Sequence, residues 1–407
     1  MAITPKDLIS DAARKGPASF FDQPERPEEI YNFDQGLAAR ETFPEGDLTR
    51  LANKVLKDDL FTLDYFAPEV GYGELTHGSK RLRELIAARI AKVQGKTVET
   101  NGLILTSGSV QAIALAARAF IDPGDIVAIE AVTFPYAARY MREAGAELLP
   151  IPIDWNGMDV DGLEQEIETL ASNGKRIKMV YLGPTFHCPT GAELSLDRRK
   201  KLVALAQKHR FMVLEDDCYG ELRFAGEPLP SLFSLDDQGL VMQAGTFSKT
   251  IAPALRMGWM AGTPEVAQAL ASVRQDLGVS QWLARVMVAF LEEGLYDPHL
   301  EKVREVYRQK CMAAVEGLKV AGNLVSFNIP QGSFYLWVEI NEAVDWERAQ
   351  ALAAEQKLYF RPGERFLSGD QSRQFFRMSY SQEPLDRVRE GATKIGAIIR
   401  SCTKVSA

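Results

Sequence analysis

Six short runs constrain this chain more than any other feature: "GLILTSG", "DIVAIEA", "RIKMVYLGP", "FMVLEDD", "LVMQAGT" and "GWMAG". Each is apolar almost throughout, and most end in Gly, Ser, Thr or Asp. A strand that is apolar on both faces must be covered on both faces, which is the situation of a parallel sheet flanked by helices. Helical patterns lie between several of the runs. "SVQAIALAARAF" is one, and "DRRKKLVALAQKHR", with Leu202, Leu205 and Ala206 on one face, is another. Alternating strands and helices predict an α/β domain with a mostly parallel sheet. Ligands collect at the carboxyl ends of such strands, and every residue singled out below follows one of those ends. Upstream, "SKRLRELIAARIAKV" sets Leu82, Leu85, Ile86, Ile90 and Val93 on one face of an amphipathic helix. After about residue 290 the texture changes. A helix through "HLEKVREVYRQKCMAAVEGL" is followed by strand-like "LVSFNI", "SFYLWVEI" and "QFFRMSY", then a final helix from about Pro384. That predicts a smaller α+β domain. The first fifty or so residues, rich in Pro, Asp and Glu, read as an arm. The expected division is an arm over 1–50 that contributes to the small domain and the substrate pocket, a large domain over 51–295 and a small domain over 296–407.

At 407 residues the chain is too long for one simple core. Its formal net charge of -8 offers no basic stripe to neutralise phosphates, which argues against nucleic acid as a partner. The start, "MAITPKDLISDAARKG", lacks the apolar stretch of a secretory signal. No run of about eighteen apolar residues suits a membrane span. Cys188, Cys218, Cys311 and Cys402 form no CxxC pair, which reads as a reduced, cytoplasmic protein.

Four stretches carry candidate chemistry. In "GTFSKTIAPALRMGW" Lys249 follows an apolar strand among Thr246, Ser248 and Thr250, with Arg256 seven residues on. A lysine held in a desolvated, cationic neighbourhood loses its proton readily and forms Schiff bases. The hydroxyls and Arg256 also suit a phosphate, and a solvated surface lysine is the plain alternative. In "TSGSVQA" Gly108 allows a tight turn, and Ser109 and Val110 open a helix whose free N–H groups favour an anion. An ordinary helix cap by Ser107 or Ser109 is the alternative there. "EDDCY" sets three carboxylates at a strand end. They suit a metal, a cap for the next helix, or a partner for the protonated pyridine nitrogen of an electron-sink cofactor. "TFHCPTG" is a punctuated loop whose His187 is either a base or structural.

Together, in this order, these stretches resemble the pyridoxal-phosphate-dependent aminotransferases of fold type I, class I/II. Within them the chain is most similar to the 2-aminoadipate and aromatic aminotransferase subgroup, which also supplies the effector domains of MocR-type regulators. The resemblance runs from about Asn32 to Ile399. It implies a large domain with a mostly parallel seven-stranded sheet, a smaller α+β domain, pyridoxal 5'-phosphate as cofactor and a homodimer with shared active sites. By the same resemblance Lys249 is the Schiff-base lysine and general base. Thr246, Ser248, Arg256, Ser109 and the amide of Val110 form the phosphate cup. Asp216 pairs with the pyridinium nitrogen, and Tyr219 with the phenolic oxygen. In "EAVTF" Phe134 is the ring that stacks on the cofactor, core packing being its plain alternative. In "FFRMSY" Arg377 clamps the substrate α-carboxylate, a task that suits a bidentate guanidinium. "LDYFAPEVGYGEL" resembles the stretch that reaches the neighbouring subunit, with Tyr65 touching the phosphate there. "DQGLAARETFP" resembles the segment lining the substrate pocket, with Gly36 near the carboxylate and Arg40 near the side chain. Arg40, Phe43, Tyr72 and Phe186 are the residues around which side-chain preference turns.

Two positions depart from the family pattern. Val132 stands where proline is usual. Cys188 stands where the family carries the asparagine of N-P-T-G, which donates to the phenolic oxygen and helps seat the substrate carboxylate. Cys is a shorter, weaker donor. Either Cys188 marks altered substrate placement or chemistry, or Tyr219, a water or His187 compensates. The leading expectation is transfer of an amino group between an L-amino acid and a 2-oxo acid, with glutamate and 2-oxoglutarate as the default pair. Other reactions on the same cofactor (decarboxylation, elimination, oxygen-dependent oxidation) are the alternative among enzymes. A ligand-sensing module of the MocR kind and a silent homologue are the alternatives outside them.

Overall fold

The computed structural model describes residues 4–10, 30–65, 73–367 and 374–404. By contacts the chain divides into residues Met1–Ile30 and Tyr31–Ala407. Of the first unit only a short 3-10 helix, Pro5–Leu8, is described. The second unit contains both large sheets and every residue discussed below.

Its larger sheet has seven strands: β2 (Leu103–Thr106), β3 (Ile126–Glu130), β4 (Glu147–Ile151), β7 (Ile177–Leu182), β8 (Met212–Asp216), β9 (Val241–Thr246) and β10 (Gly258–Ala261), a hairpin of β5 (Ile153–Asp154) and β6 (Gly157–Met158) lying between β4 and β7 in the chain. The order across the sheet is β2-β10-β9-β8-β7-β3-β4. Pairings are parallel from β9 through β4, and β10 runs antiparallel to both neighbours. All six apolar runs are strands. β2, β3 and β9 are buried at every residue, as strands sandwiched between helices must be. The run "ELLPI" of β4, half-buried at the sheet edge, carries too little apolar signal to stand out.

Helices cover both faces. Ser109–Phe120 coincides with its sequence pattern, and Leu196–His209 buries Leu202, Leu205 and Ala206 as read. Helix Lys80–Gln94 buries Leu82, Ile86 and Ile90, but its face is rotated from the expected one. Val93 is 51 % exposed, and Arg83 is buried instead because its guanidinium reaches the carbonyls of Gly78 and Thr100.

The smaller sheet has five strands in the order β1-β13-β14-β12-β11: β1 (Tyr31–Phe33), β11 (Val325–Ser326), β12 (Tyr335–Ile340), β13 (Leu358–Pro362) and β14 (Phe375–Ser379). Long helices Tyr296–Leu318 and Leu385–Ser401 pack on it through their own apolar cluster. The stretch read as an arm supplies β1, which pairs in parallel with β13, and the start of helix Glu45–Asp58. "LVSFNI" shrinks to the two residues of β11, while β13 and helix Trp346–Glu355 gave no clear pattern. No helix among the described residues is long and apolar enough to cross a membrane.

Candidate active site

The site lies where the carboxyl ends of the seven-stranded sheet meet the five-stranded one. Lys249 sits in the turn after β9, half-buried. Its ammonium donates to the Gly36 carbonyl at 3.1 Å and lies 5.6 Å above the Tyr219 ring and 5.7 Å from Phe334. Burial pushes its pKa down, and the nearby Arg377 guanidinium works in the same direction. An amine held this way is a ready nucleophile for a carbonyl and a ready proton acceptor.

Across the end of the neighbouring strand β8, the carboxylates of "EDDCY" are placed differently. Glu215 turns away, accepting the amides of Leu232 and Phe233 at 3.1 and 2.8 Å, so it does cap the next helix. Asp216 faces the site. Its Oδ2 accepts the Tyr181 hydroxyl at 2.8 Å and its Oδ1 the Cys218 thiol at 2.8 Å. Burial raises its pKa, while these two donors and Lys249 oppose that rise. Asp217 is pushed up to about 7 by burial and by the carboxylates of Glu215 and Glu221. His187 is held through Nδ1, 2.8 Å from the Thr190 hydroxyl, and its Nε2 lies 2.9 Å from Glu130 Oε2. That makes it a structural histidine held behind the site. No cluster of three or more metal-ligating side chains occurs among the described residues.

A cup for a dianion lies beside Lys249. Gly108, two residues past β2, sits at φ 83°, a backbone conformation that favours glycine, and a Cβ there would crowd Arg256 Nη2 at 2.7 Å. Helix Ser109–Phe120 starts with no side-chain cap, which leaves first-turn amides, Val110 among them, free for an anion. The Ser109 hydroxyl lies 3.1 Å from the Cys218 sulfur, whose one proton goes to Asp216. Thr246 Oγ donates to Ser248 Oγ at 3.0 Å, and Arg256 Nη1 to Ser248 Oγ at 3.4 Å. Arginine, hydroxyls and helix amides on one concave surface are the donor set a phosphate requires.

Arg377 comes from the other sheet. It is buried, with one Nη donating to the Asp34 carbonyl and the other 3.8 Å from Cys188 Sγ. Its guanidinium lies 4.4 Å over the Tyr335 ring and 4.8 Å over Phe366, and its Nε has no hydrogen-bond partner. A buried, stacked guanidinium with a donor to spare suits a small carboxylate. Arg361, whose Cα pairs with that of Arg377 across β13 and β14, is tied to the Asp34 carboxylate. Tyr219 is buried, its hydroxyl 2.7 Å from that of Tyr335. Cys188 lies between these groups, its thiol pushed up by burial and pulled back by Arg377 and Lys249.

The structure thus brings Lys249, Asp216, Tyr219, Cys188, Arg377 and Gly36 together, with Ser109, Thr246, Ser248 and Arg256 in an adjoining cup. Phe134 caps helix Pro135–Glu143 and packs on Tyr136, ring centroids 5.6 Å apart. The backbone beside it is anchored to the small sheet's side, Val132 bridging to Leu367 and the Thr133 amide donating to Phe366. Arg40 is exposed in a 3-10 turn. Tyr65 is 64 % exposed, and residues 66–72 of its motif, Tyr72 included, lie outside the described residues. Phe43 packs against the main core, and Phe186 is fully buried under Arg223. Sequence reasoning missed Tyr181, Cys218, Asp34, Phe366 and Tyr335. The alternation of "SFYLWVEI" puts Tyr335 and Trp337 on one face, but nothing local says which face meets Lys249.

Comparison with known proteins agrees with this geometry. The family model of class I and II aminotransferases matches residues 71–395. Aromatic-amino-acid aminotransferase 1 of Thermococcus litoralis is 32 % identical over 375 residues, covering 91 % of this chain and 88 % of its own length. The HTH-type transcriptional regulator YisV of Bacillus subtilis is 29 % identical over 87 % of this chain and 74 % of its own. Among solved structures, the kynurenine aminotransferase of Pyrococcus horikoshii, crystallised with PMP, superposes with a TM-score of 0.89 at 29 % identity, over 98 % of this chain and 99 % of its own. A lysine-bearing strand end, an anion cup and a buried arginine on a second sheet are thus the parts of a fold type I enzyme, and the chain belongs to the class I and II aminotransferases.

Proposed function

We propose that the chain moves an amino group between an L-amino acid and a 2-oxo acid on pyridoxal 5'-phosphate, with glutamate and 2-oxoglutarate as the default pair. The observation that carries this reading is Lys249, a partly desolvated amine at a strand end, between an anion cup and a buried carboxylate. The cofactor supplies an aldehyde that takes up the amino group and a ring that draws electrons from the α-carbon. The donor set fits it. Arg256, Thr246, Ser248, Ser109 and the Val110 amide hold the phosphate. Asp216, kept in place by Tyr181 and Cys218, holds the proton on the ring nitrogen. The Tyr219 hydroxyl donates to the phenolic oxygen. Phe134 is the ring that would stack on the cofactor.

Arg377 holds the α-carboxylate of the amino acid and so points its Cα–H toward Lys249. The Nζ of Lys249 would take that proton and hand it to the carbon that carried the cofactor's aldehyde. Gly36 supports this seating, because its carbonyl is already bonded to Lys249 and its neighbour Asp34 to Arg377. Arg40 is the candidate for contact with the substrate side chain. A second copy of the chain completes the site. The exposed Phe61, Leu63 and Tyr65, 47 %, 70 % and 64 % exposed, form an apolar strip that a partner would cover, carrying Tyr65 to the partner's phosphate. All four cysteines are free, which suits the cytoplasm. The division into an arm (1–50), a large domain (51–295) and a small domain (296–407) is retained on this reading.

The test is an anaerobic titration of the cofactor-loaded protein with amino acids, followed by absorbance. Bleaching of the visible band by a donor, reversed by 2-oxoglutarate, is the expected result. Release of carbon dioxide, or turnover only with oxygen present, would replace it with a different reaction on the same site.

A further inference from the structure

Tyr219 and Tyr335 are 6 % and 2 % exposed, and their hydroxyls lie 2.7 Å apart. The Cys188 thiol lies close enough to the same phenol for each to shift the other's hold on its proton. The Gly36 backbone backs onto this hydroxyl so closely that a Cβ would sit 1.9 Å from it, so a glycine at 36 is required by Tyr335. The register of the small sheet sets the arrangement. Trp337 lies opposite Arg377, so Tyr335, two residues earlier on the same face, carries the guanidinium on its ring at 4.4 Å.

Burial holds both phenols well above their ordinary range, so each keeps its proton. Tyr335 and Tyr219 are then two O–H groups in a row, with the Cys188 thiol beside the first. A hydroxyl rotates to donate once while accepting from another donor. If Tyr219 donates inward to Tyr335, its single proton is spent and an acceptor outside receives nothing. If Tyr219 donates outward, Tyr335 donates into Tyr219 and the thiol into Tyr335, so no proton is stranded. Each bond polarises the next in a dry surrounding.

We propose that Tyr335 is a positioning residue that turns the Tyr219 proton outward onto the phenolic oxygen of the cofactor, making Cys188, Tyr335 and Tyr219 one donor relay. This rests on the cofactor reading above and deepens it. It also explains how a site with only a thiol at position 188 keeps that oxygen well solvated by the protein. No bond to carbon forms or breaks in the relay; it fixes only which way the protons point.

The experiment follows the visible band of the pyridoxal-phosphate-loaded protein against pH and reads the midpoint of its change. Weaker donation to the phenolic oxygen raises that midpoint. Tyr335→Phe keeps the ring under Arg377 and removes only the hydroxyl. It is expected to raise the midpoint by roughly half to one unit, a threefold to tenfold change in proton affinity, with KM for the amino acid within about twofold. Tyr219→Phe raises it further. The double variant matches Tyr219→Phe alone, since Tyr335 acts through Tyr219. An unchanged midpoint in Tyr335→Phe beside a shifted one in Tyr219→Phe overturns the relay and leaves the cofactor reading standing. Additive shifts in the double variant also overturn it. If Tyr335→Phe does not fold, Cys188→Ala decides, a smaller rise supporting the relay and no rise overturning it. A wild-type protein that forms no visible band with the cofactor overturns both readings.

Discussion

The two halves of the site are built in opposite ways. Lys249, Asp216, Tyr219 and the anion cup hang from the ends of β2, β8 and β9, each within a few residues of an apolar strand. Arg377, Tyr335, Arg361 and Asp34 converge from β14, β12, β13 and the end of β1, more than three hundred residues apart at the extremes. The first half is held by the rigid centre of a sheet covered on both faces. The second is held by a buried charge arrangement, in which Asp34 binds Arg361 with its carboxylate and Arg377 with its carbonyl. Side chains on the central sheet can change chemistry without loosening the frame, whereas a change at Asp34 loosens the frame itself.

The sharpest test of this contrast is Lys249→Ala. No other amine stands at that strand end, so turnover should fall by at least about a thousandfold while the melting temperature of the protein stays near wild type. An amino-transfer assay and a thermal scan check both. Arg377→Ala acts from the other half. It should lower kcat/KM for amino acids by about a hundredfold, through loss of a charge-assisted bidentate contact. Cofactor retention, read by gel filtration and absorbance, should be unaffected. Equal cofactor loss in both variants would mean that the two halves are not separate.

Asp34→Asn reverses the pattern. It keeps the carbonyl under Arg377 but removes the Asp34 charge that faces the buried Arg361 guanidinium. A cost of about 3 kcal/mol in stability is expected by denaturant titration, with a smaller effect on kcat. The smallest effect belongs to Asp217, on the central side. Its folded pKa of about 7 lies above the ordinary 3.8. Its contribution is therefore fully present below about pH 4 and is lost as pH rises through 7, when a carboxylate must ionise beside Glu215 and Glu221. Asp217→Asn should leave stability at pH 5 little changed and raise it at pH 8 by roughly 1–3 kcal/mol. Urea midpoints at the two pH values check the sign.

Much was determined by the sequence alone. The grouping of Lys249, Asp216, Tyr219 and Arg256 came from the family resemblance, whereas six strands of the larger sheet and its parallel character were legible in the residues themselves, because a doubly covered strand is apolar throughout. Local spacing carried that information. Only the tertiary structure decided which residues face Lys249 from the second sheet. A strand's alternation names two faces without saying what each will meet, so Tyr335 stayed hidden. Glu215, Asp216 and Asp217 look alike in the chain, and only the helix at Leu232 and the hydroxyl of Tyr181 assign them different tasks. Val93 fits an apolar helical face and still ends in solvent, in the last turn of its helix, while Arg83 is buried on carbonyls its guanidinium reaches. Hydrophobic pattern is a property of neighbours along the chain. Hydrogen bonds between residues hundreds of positions apart are not, and they are what join the two halves of this site.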